Sequence, residues 1–227
     1  MVETDTKSAQ TKRWQLNIIS VSAIAGLVAL LVMGLVEILL VLRDVGYNPV
    51  VESISSLGLR SLGWLQTISF LLGGLLIEVF TIGLYLDVRR NITSQLSAGI
   101  LVFFGFGLLL IAAFKTQPAG APQSIEGLIH SATARTVFLL FPLVCFLLVP
   151  SLRADNRWKN LFVYNIVAGA LGAIFVVIWL VFSTRINWFG LYERILFANA
   201  TIWLGVMAVQ LLRLSLREGW RIVKVES

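Results

Sequence analysis

An all-α polytopic membrane bundle of six transmembrane helices is the fold class this sequence predicts, on three observations. Of 227 residues, 58% are hydrophobic and 13% are charged, with a mean hydropathy of +0.88, whereas a soluble domain is roughly a quarter charged. The apolar residues gather in long runs, each near the ~20 residues that carry a helix across the hydrocarbon core. The runs are continuous, unlike the alternating segments of about ten residues that build a membrane barrel.

The first run, residues 18–42, follows a polar tail, 1–17, that carries Lys7, Lys12, Arg13 and Trp14. It is too long for the apolar core of a signal peptide and has no small-residue cleavage site, so it reads as a retained helix. The second run, 62–87, is reached through the connector "GYNPVVESISSLG", residues 46–58. That connector has an Asn-Pro turn, a carboxylate and three serines, and it is long where two to six residues usually suffice. The third run is 95–114. The fourth, 131–149, follows "KTQPAGAPQSIEGLIHS"; Ser124 is a suitable N-cap for its helix, and Pro142 removes a backbone donor within it. The fifth run is 159–183 and the sixth 190–213, before a basic tail, 214–227. Residues 18–213 thus form one domain. Gly73, Gly74, Gly99, Gly105, Gly107, Gly169 and Gly172 read as helix-packing seams, because small residues let helices approach closely in lipid. Trp64, Trp158, Trp188 and Trp220 fall at span ends, like Trp14, as interfacial anchors do. Trp203 sits mid-span and reads as packing.

Lys and Arg favour the cytoplasmic side of short connectors. With the N-terminus inside, about twice as many of the 18 basic residues fall inside as outside. Six spans return the C-terminus to the cytoplasm, and the expected location is the cell (inner) membrane. The formal charge of +6 therefore reads as topology rather than as a nucleic-acid surface. The connectors 88–94 and 150–158 are short and basic, with little beyond topology to report.

With this topology the polar residues collect outside. Asn48, Glu52, Ser53, Ser55 and Ser56 lie in the first connector, Glu126 and His130 before span four, and Glu193, Arg194 and Asn199 at the start of span six. Three distant segments would meet at one mouth of the bundle, where helix bundles place their sites. Glu126 and His130 are four apart and share a helix face; they form either an acid/base pair or a hydrogen bond that steadies the helix start. Arg135, a turn further on, either snorkels to headgroups or pairs with an anion. Glu193 suits a helix N-terminus and Arg194 does not, so Arg194 needs a partner, from the fold or from a ligand. Glu37 lies roughly 7–8 Å below the outer end of span one and can point into the mouth. Asn199 can line its floor. Glu78 is deeper and reads as structural.

No G-x-S-x-G, H-E-x-x-H, Walker A or G-x-G-x-x-G pattern is present. The single histidine, His130, excludes His-rich zinc sites, and the single cysteine, Cys145, excludes an internal disulfide. No metal, cofactor or nucleic-acid partner is expected.

Three short marks in order, Ile54-Ser55-x-Leu57-Gly58, Gly127-x-x-His130 and Glu193-Arg194, resemble the prokaryotic family called domain of unknown function 998, over about 18–213. The resemblance implies an integral membrane protein of six or so helices with no established activity. Members carry an acid after the Thr of the third loop, where this chain has Thr116-Gln117.

The leading expectation is an outward-facing polar mouth that binds a lipid or amphiphilic small molecule. Glu37, Asn48, Ser53, Ser55, Glu126, Arg135, Arg194 and Asn199 are its binding candidates. The alternatives are a membrane-embedded enzyme with His130 and Glu193 as acid and base, a small transporter, and a scaffold subunit. Membrane lipids are the expected partners.

Overall fold

The long apolar runs become helices because in lipid each backbone N–H and C=O must find its partner within the segment. The computed structural model describes residues 17–118, 120–182 and 187–225, with the side chains of the last helix described to Arg217. The tail before residue 17, Arg185 and the side chain of Trp220 lie outside the described residues. The helices are α1 (Ile18–Arg43), α2 (Gly63–Asp87), α3 (Ile92–Ala113), α4 (Ile125–Ala154), α5 (Phe162–Phe182) and α6 (Phe189–Val225). Short 3₁₀ segments, Ile54–Leu59 and Lys159–Leu161, precede α2 and α5. Six helices are long and apolar enough to cross a membrane, and no strand occurs among the described residues. The chain is an integral, multi-pass membrane protein.

Side chains set several helix starts. The Asn17 carboxamide accepts the Ser20 N–H at 2.8 Å. Asn91 and Ser94 exchange hydrogen bonds at the head of α3, each satisfying the other's backbone. The Ser124 hydroxyl accepts the Gly127 N–H at 3.0 Å and starts α4. α4 stays helical through Pro142 and Pro150, and α6 runs past the expected end at 213.

Consecutive helices α1 to α5 pack side by side, and α6 returns against α1. The glycine seams are real at most of the expected positions. A Cβ on Gly73 would meet Met33 of α1, one on Gly74 the Gly105 carbonyl of α3, and one on Gly169 the Cys145 side chain of α4. Gly99 is the exception and faces open space. In the middle of the bundle Asn165 of α5 donates to the Cys145 carbonyl of α4 and accepts from Trp203 Nε1 of α6 at 2.7 Å. Outward-facing residues such as Leu35, Leu75, Phe103 and Val177 are exposed and apolar, which suits contact with lipid.

The connectors 88–94 and 150–158 hold more than topology. Asp87, at the end of α2, is buried. Its carboxylate accepts Arg157 Nη1 at 3.1 Å and Trp158 Nε1 at 2.7 Å. Arg157 also pairs with Asp155 at 2.9 Å. Gln210 of α6 donates to the Arg157 carbonyl at 2.7 Å. Trp158 is therefore a buried donor and not an interfacial anchor; its indole N–H found a carboxylate from another helix. This knot ties α2, the α4–α5 connector and α6 together on the face opposite the 46–58 loop.

Asp87→Ala leaves the Trp158 N–H buried without its carboxylate and removes one of the two carboxylates that hold Arg157, Asp155 being the other. The expected loss is about 2–3 kcal/mol, read as a lower unfolding temperature in detergent. Trp64→Phe, at an exposed position, should shift it little.

Candidate functional site

Residues 46–60 fold on themselves before they meet α6. The Asn48 side chain accepts the Val50 N–H at 3.1 Å, and its carbonyl accepts the Glu52 N–H at 2.8 Å. Glu52 accepts the Asn48 N–H at 2.9 Å and pairs with Arg60 at 2.5 Å. The Ser53 hydroxyl caps the 3₁₀ segment through the Ser56 N–H, at 3.2 Å.

The loop is then sewn to the head of α6. First-turn N–H groups of a helix have no partner within it, and here the loop supplies them. Gly190 donates to the Val51 carbonyl at 3.2 Å and Leu191 to the Val50 carbonyl at 3.0 Å. Gly190 permits this approach, since a Cβ there would overlap the Glu52 and Pro49 carbonyls. Arg194 Nη1 donates to the Pro49 carbonyl at 2.7 Å and the Glu52 carbonyl at 3.1 Å. Arg194 Nη2 donates to the Tyr47 hydroxyl at 2.6 Å, and Nε pairs with Glu37 of α1 at 2.9 Å. Burial pushes the Tyr47 phenol above its ordinary value, so the hydroxyl stays protonated and bridges Arg194 to the Ser53 carbonyl, 2.7 Å away. Glu193, buried beside them, accepts the Ile54 N–H at 2.6 Å.

Beneath and beside this loop lie two neighbouring spaces. A mouth of about 360 Å³ is lined by Ser53, Ser55 and Thr116, by His130, Ser131 and Arg135 of α4, by Trp179 of α5, and by Tyr192 and Glu193 of α6. A narrower space of about 60 Å³ lies inside the bundle, lined almost wholly by apolar residues such as Met33, Phe70, Leu108 and Phe141. Ser55, Ala134, Phe138 and Glu193 line both.

The structure divides the ten candidate residues. Ser53, Ser55, His130, Arg135 and Glu193 line the mouth. Glu37 and Arg194 do not; they pair with each other and hold the loop. Asn48 is exposed and shapes the loop's turn. Glu126 is exposed and does not pair with His130, whose Nδ1 lies 2.8 Å from the Phe114 carbonyl. A carbonyl only accepts, so Nδ1 carries a proton. Asn199 donates to the Ala168 carbonyl of α5 at 3.0 Å and lines neither space. Its amide found a backbone partner one helix away. Glu78 is half-buried, its carboxylate lying over Gly105 of α3.

Tyr47, Trp179 and Tyr192 escaped the sequence reading, because an aromatic beside or within an apolar run is ordinarily packing or an anchor. One signal was there: Tyr192 immediately precedes Glu193-Arg194. Gln117, which stands where the family resemblance puts an acid, accepts the Ser124 N–H at 2.9 Å and shapes the third loop.

Arg194→Ala strands the Glu37 carboxylate and three loop groups, at an expected cost of about 3–5 kcal/mol, with faster proteolysis between Tyr47 and Arg60. Arg194→Lys restores the charge but not the fork, so it should recover only part of that stability. The Glu52 carboxyl feels opposed effects: desolvation raises it, while the Asn48 N–H and the Arg60 guanidinium lower it further, to below its ordinary 4.5. Its hold on the loop is therefore full above pH 4.5 and fades as the pH falls through the lowered folded value. Amide exchange in residues 47–53 should accelerate on acidification below that point, and Glu52→Gln should remove the pH dependence.

Comparison with curated proteins and with solved structures gave no match. The model of the family described as protein of unknown function (DUF998) matches residues 23–210, a stretch that takes in all six helices and the loop, mouth and inner space just described. The chain belongs to that family.

Proposed function

We propose that this protein binds an amphiphilic small molecule or lipid at the mouth, on the extracytoplasmic side of the cell membrane. One observation carries the reading. A space of about 360 Å³ with a mixed polar and apolar lining lies beside an almost wholly apolar one of about 60 Å³, and Ser55, Ala134, Phe138 and Glu193 line both. That gradient matches a molecule with a polar head and an apolar body. The loop that roofs the mouth is anchored from two helices, which is the support a preorganised site needs.

Binding is better supported than catalysis at this place. The Glu193 carboxylate is committed to the Ile54 N–H and the His130 Nδ1 to the Phe114 carbonyl. Neither is poised against a nucleophile among the described residues. The outward orientation rests on the distribution of Lys and Arg about the spans.

Native mass spectrometry of the gently purified full chain tests the reading. The expected result is a retained amphiphile, lost in Ala134→Trp, which adds bulk at a residue lining both spaces while Ala134 itself is only half-buried. A wild-type protein that retains none, and takes up none when offered, contradicts it. Reporter fusions at Gly120 and after Ser227 should report opposite sides of the membrane, with Gly120 outside.

A further inference from the structure

We infer that the molecule taken at this mouth carries a phosphate-type anion, held by Arg135 and the Tyr192 hydroxyl. The inference rests on the amphiphile reading above and deepens it.

Arg135 is the first reason. It is exposed, lines the mouth and has no carboxylate partner among the described residues. The two arginines that touch the roof loop are both occupied: Arg60 pairs with Glu52 and Asp44, and Arg194 with Glu37. A guanidinium at the membrane boundary is matched best by a forked oxyanion, which it can hold through two parallel hydrogen bonds. The mouth offers little to compete for it. Glu193 is the single carboxylate lining it, and that group faces the Ile54 N–H with Arg194 alongside.

Tyr192 is the second reason. It is 1% exposed, lines the mouth, and its hydroxyl has no hydrogen-bond partner among the described residues. It lies near the Trp179 backbone but not in hydrogen-bonding geometry. A buried hydroxyl without a partner is uncommon, and of the five side-chain atoms in that condition among the described residues, in Ser22, Gln66, Ser69, Ser151 and Tyr192, only that of Tyr192 belongs to a residue lining the mouth. An oxyanion accepts from it. The Ser55, Ser131 and Thr116 hydroxyls line the same space and are donors of the same kind.

The test titrates the delipidated full-length protein with phosphatidylglycerol and with diacylglycerol of matched chains, which lacks the phosphate, and separately with inorganic phosphate. Phosphatidylglycerol is expected to bind about tenfold more tightly than diacylglycerol, the scale of one charge-assisted hydrogen bond. Arg135→Gln should abolish that preference while still binding both lipids. Tyr192→Phe should weaken phosphatidylglycerol alone. Arg43→Gln makes the same charge change away from the mouth and should leave the preference intact. Equal binding of the two lipids by the wild type, or a preference that survives Arg135→Gln, overturns the headgroup assignment while leaving the amphiphile reading standing. Inorganic phosphate that competes as well as phosphatidylglycerol overturns the role of the apolar body. Failure of both lipids to bind overturns the amphiphile reading itself.

Discussion

The arrangement at the mouth depends on one half-buried guanidinium. Arg194 stands in the first turns of α6, where the helix dipole disfavours a cation, and it is held there by the Glu37 carboxylate, two loop carbonyls and a tyrosine hydroxyl. An ion pair at this depth is not a strong source of stability in itself, because desolvation offsets much of the attraction. What it contributes is position. It brings α1, α6 and the loop between α1 and α2 to one point, and so fixes Ser53, Ser55 and Glu193 around the mouth.

The bundle holds itself together differently at its two faces. Opposite the mouth, the Asp87 knot joins α2, the α4–α5 connector and α6. Between the faces, glycine contacts and the Asn165 bridge do the joining, as expected where lipid supplies no hydrophobic drive between helices. The outer part of α5 has least of either. The molecule is therefore firmest at both rims and least constrained along one side of its upper half, beside the polar mouth.

Much of the fold was legible because lipid makes strong demands on sequence. Each apolar run had to be a helix, and Ser124 had one evident role as the start of α4. The seams at Gly73, Gly74 and Gly169 followed from their size alone. The site was legible as a neighbourhood, since charge distribution gathered three connectors on one face. Its internal pairing was not. Glu126 and His130 share a helix face, but the sequence could not show that Phe114 ends α3 within reach of the imidazole. Asn199 and Trp158 likewise found partners set by helix packing, which one-dimensional spacing does not encode. The direction of a polar side chain in a bundle depends on which neighbour offers the complementary atom, and that is a property of the assembled helices.

The N–H groups at the head of α6 are completed by carbonyls from the connector that follows α1. During synthesis these two pieces emerge at opposite ends of the chain's passage into the membrane. The roof loop therefore has no template until the last span has been inserted. A chain released before α6 would carry the Ile54 N–H and the Val50 and Val51 carbonyls open to water, with Glu37 left uncompensated in α1. Completion of the mouth thus waits on α6, and an ordered loop marks that α6 has joined the bundle.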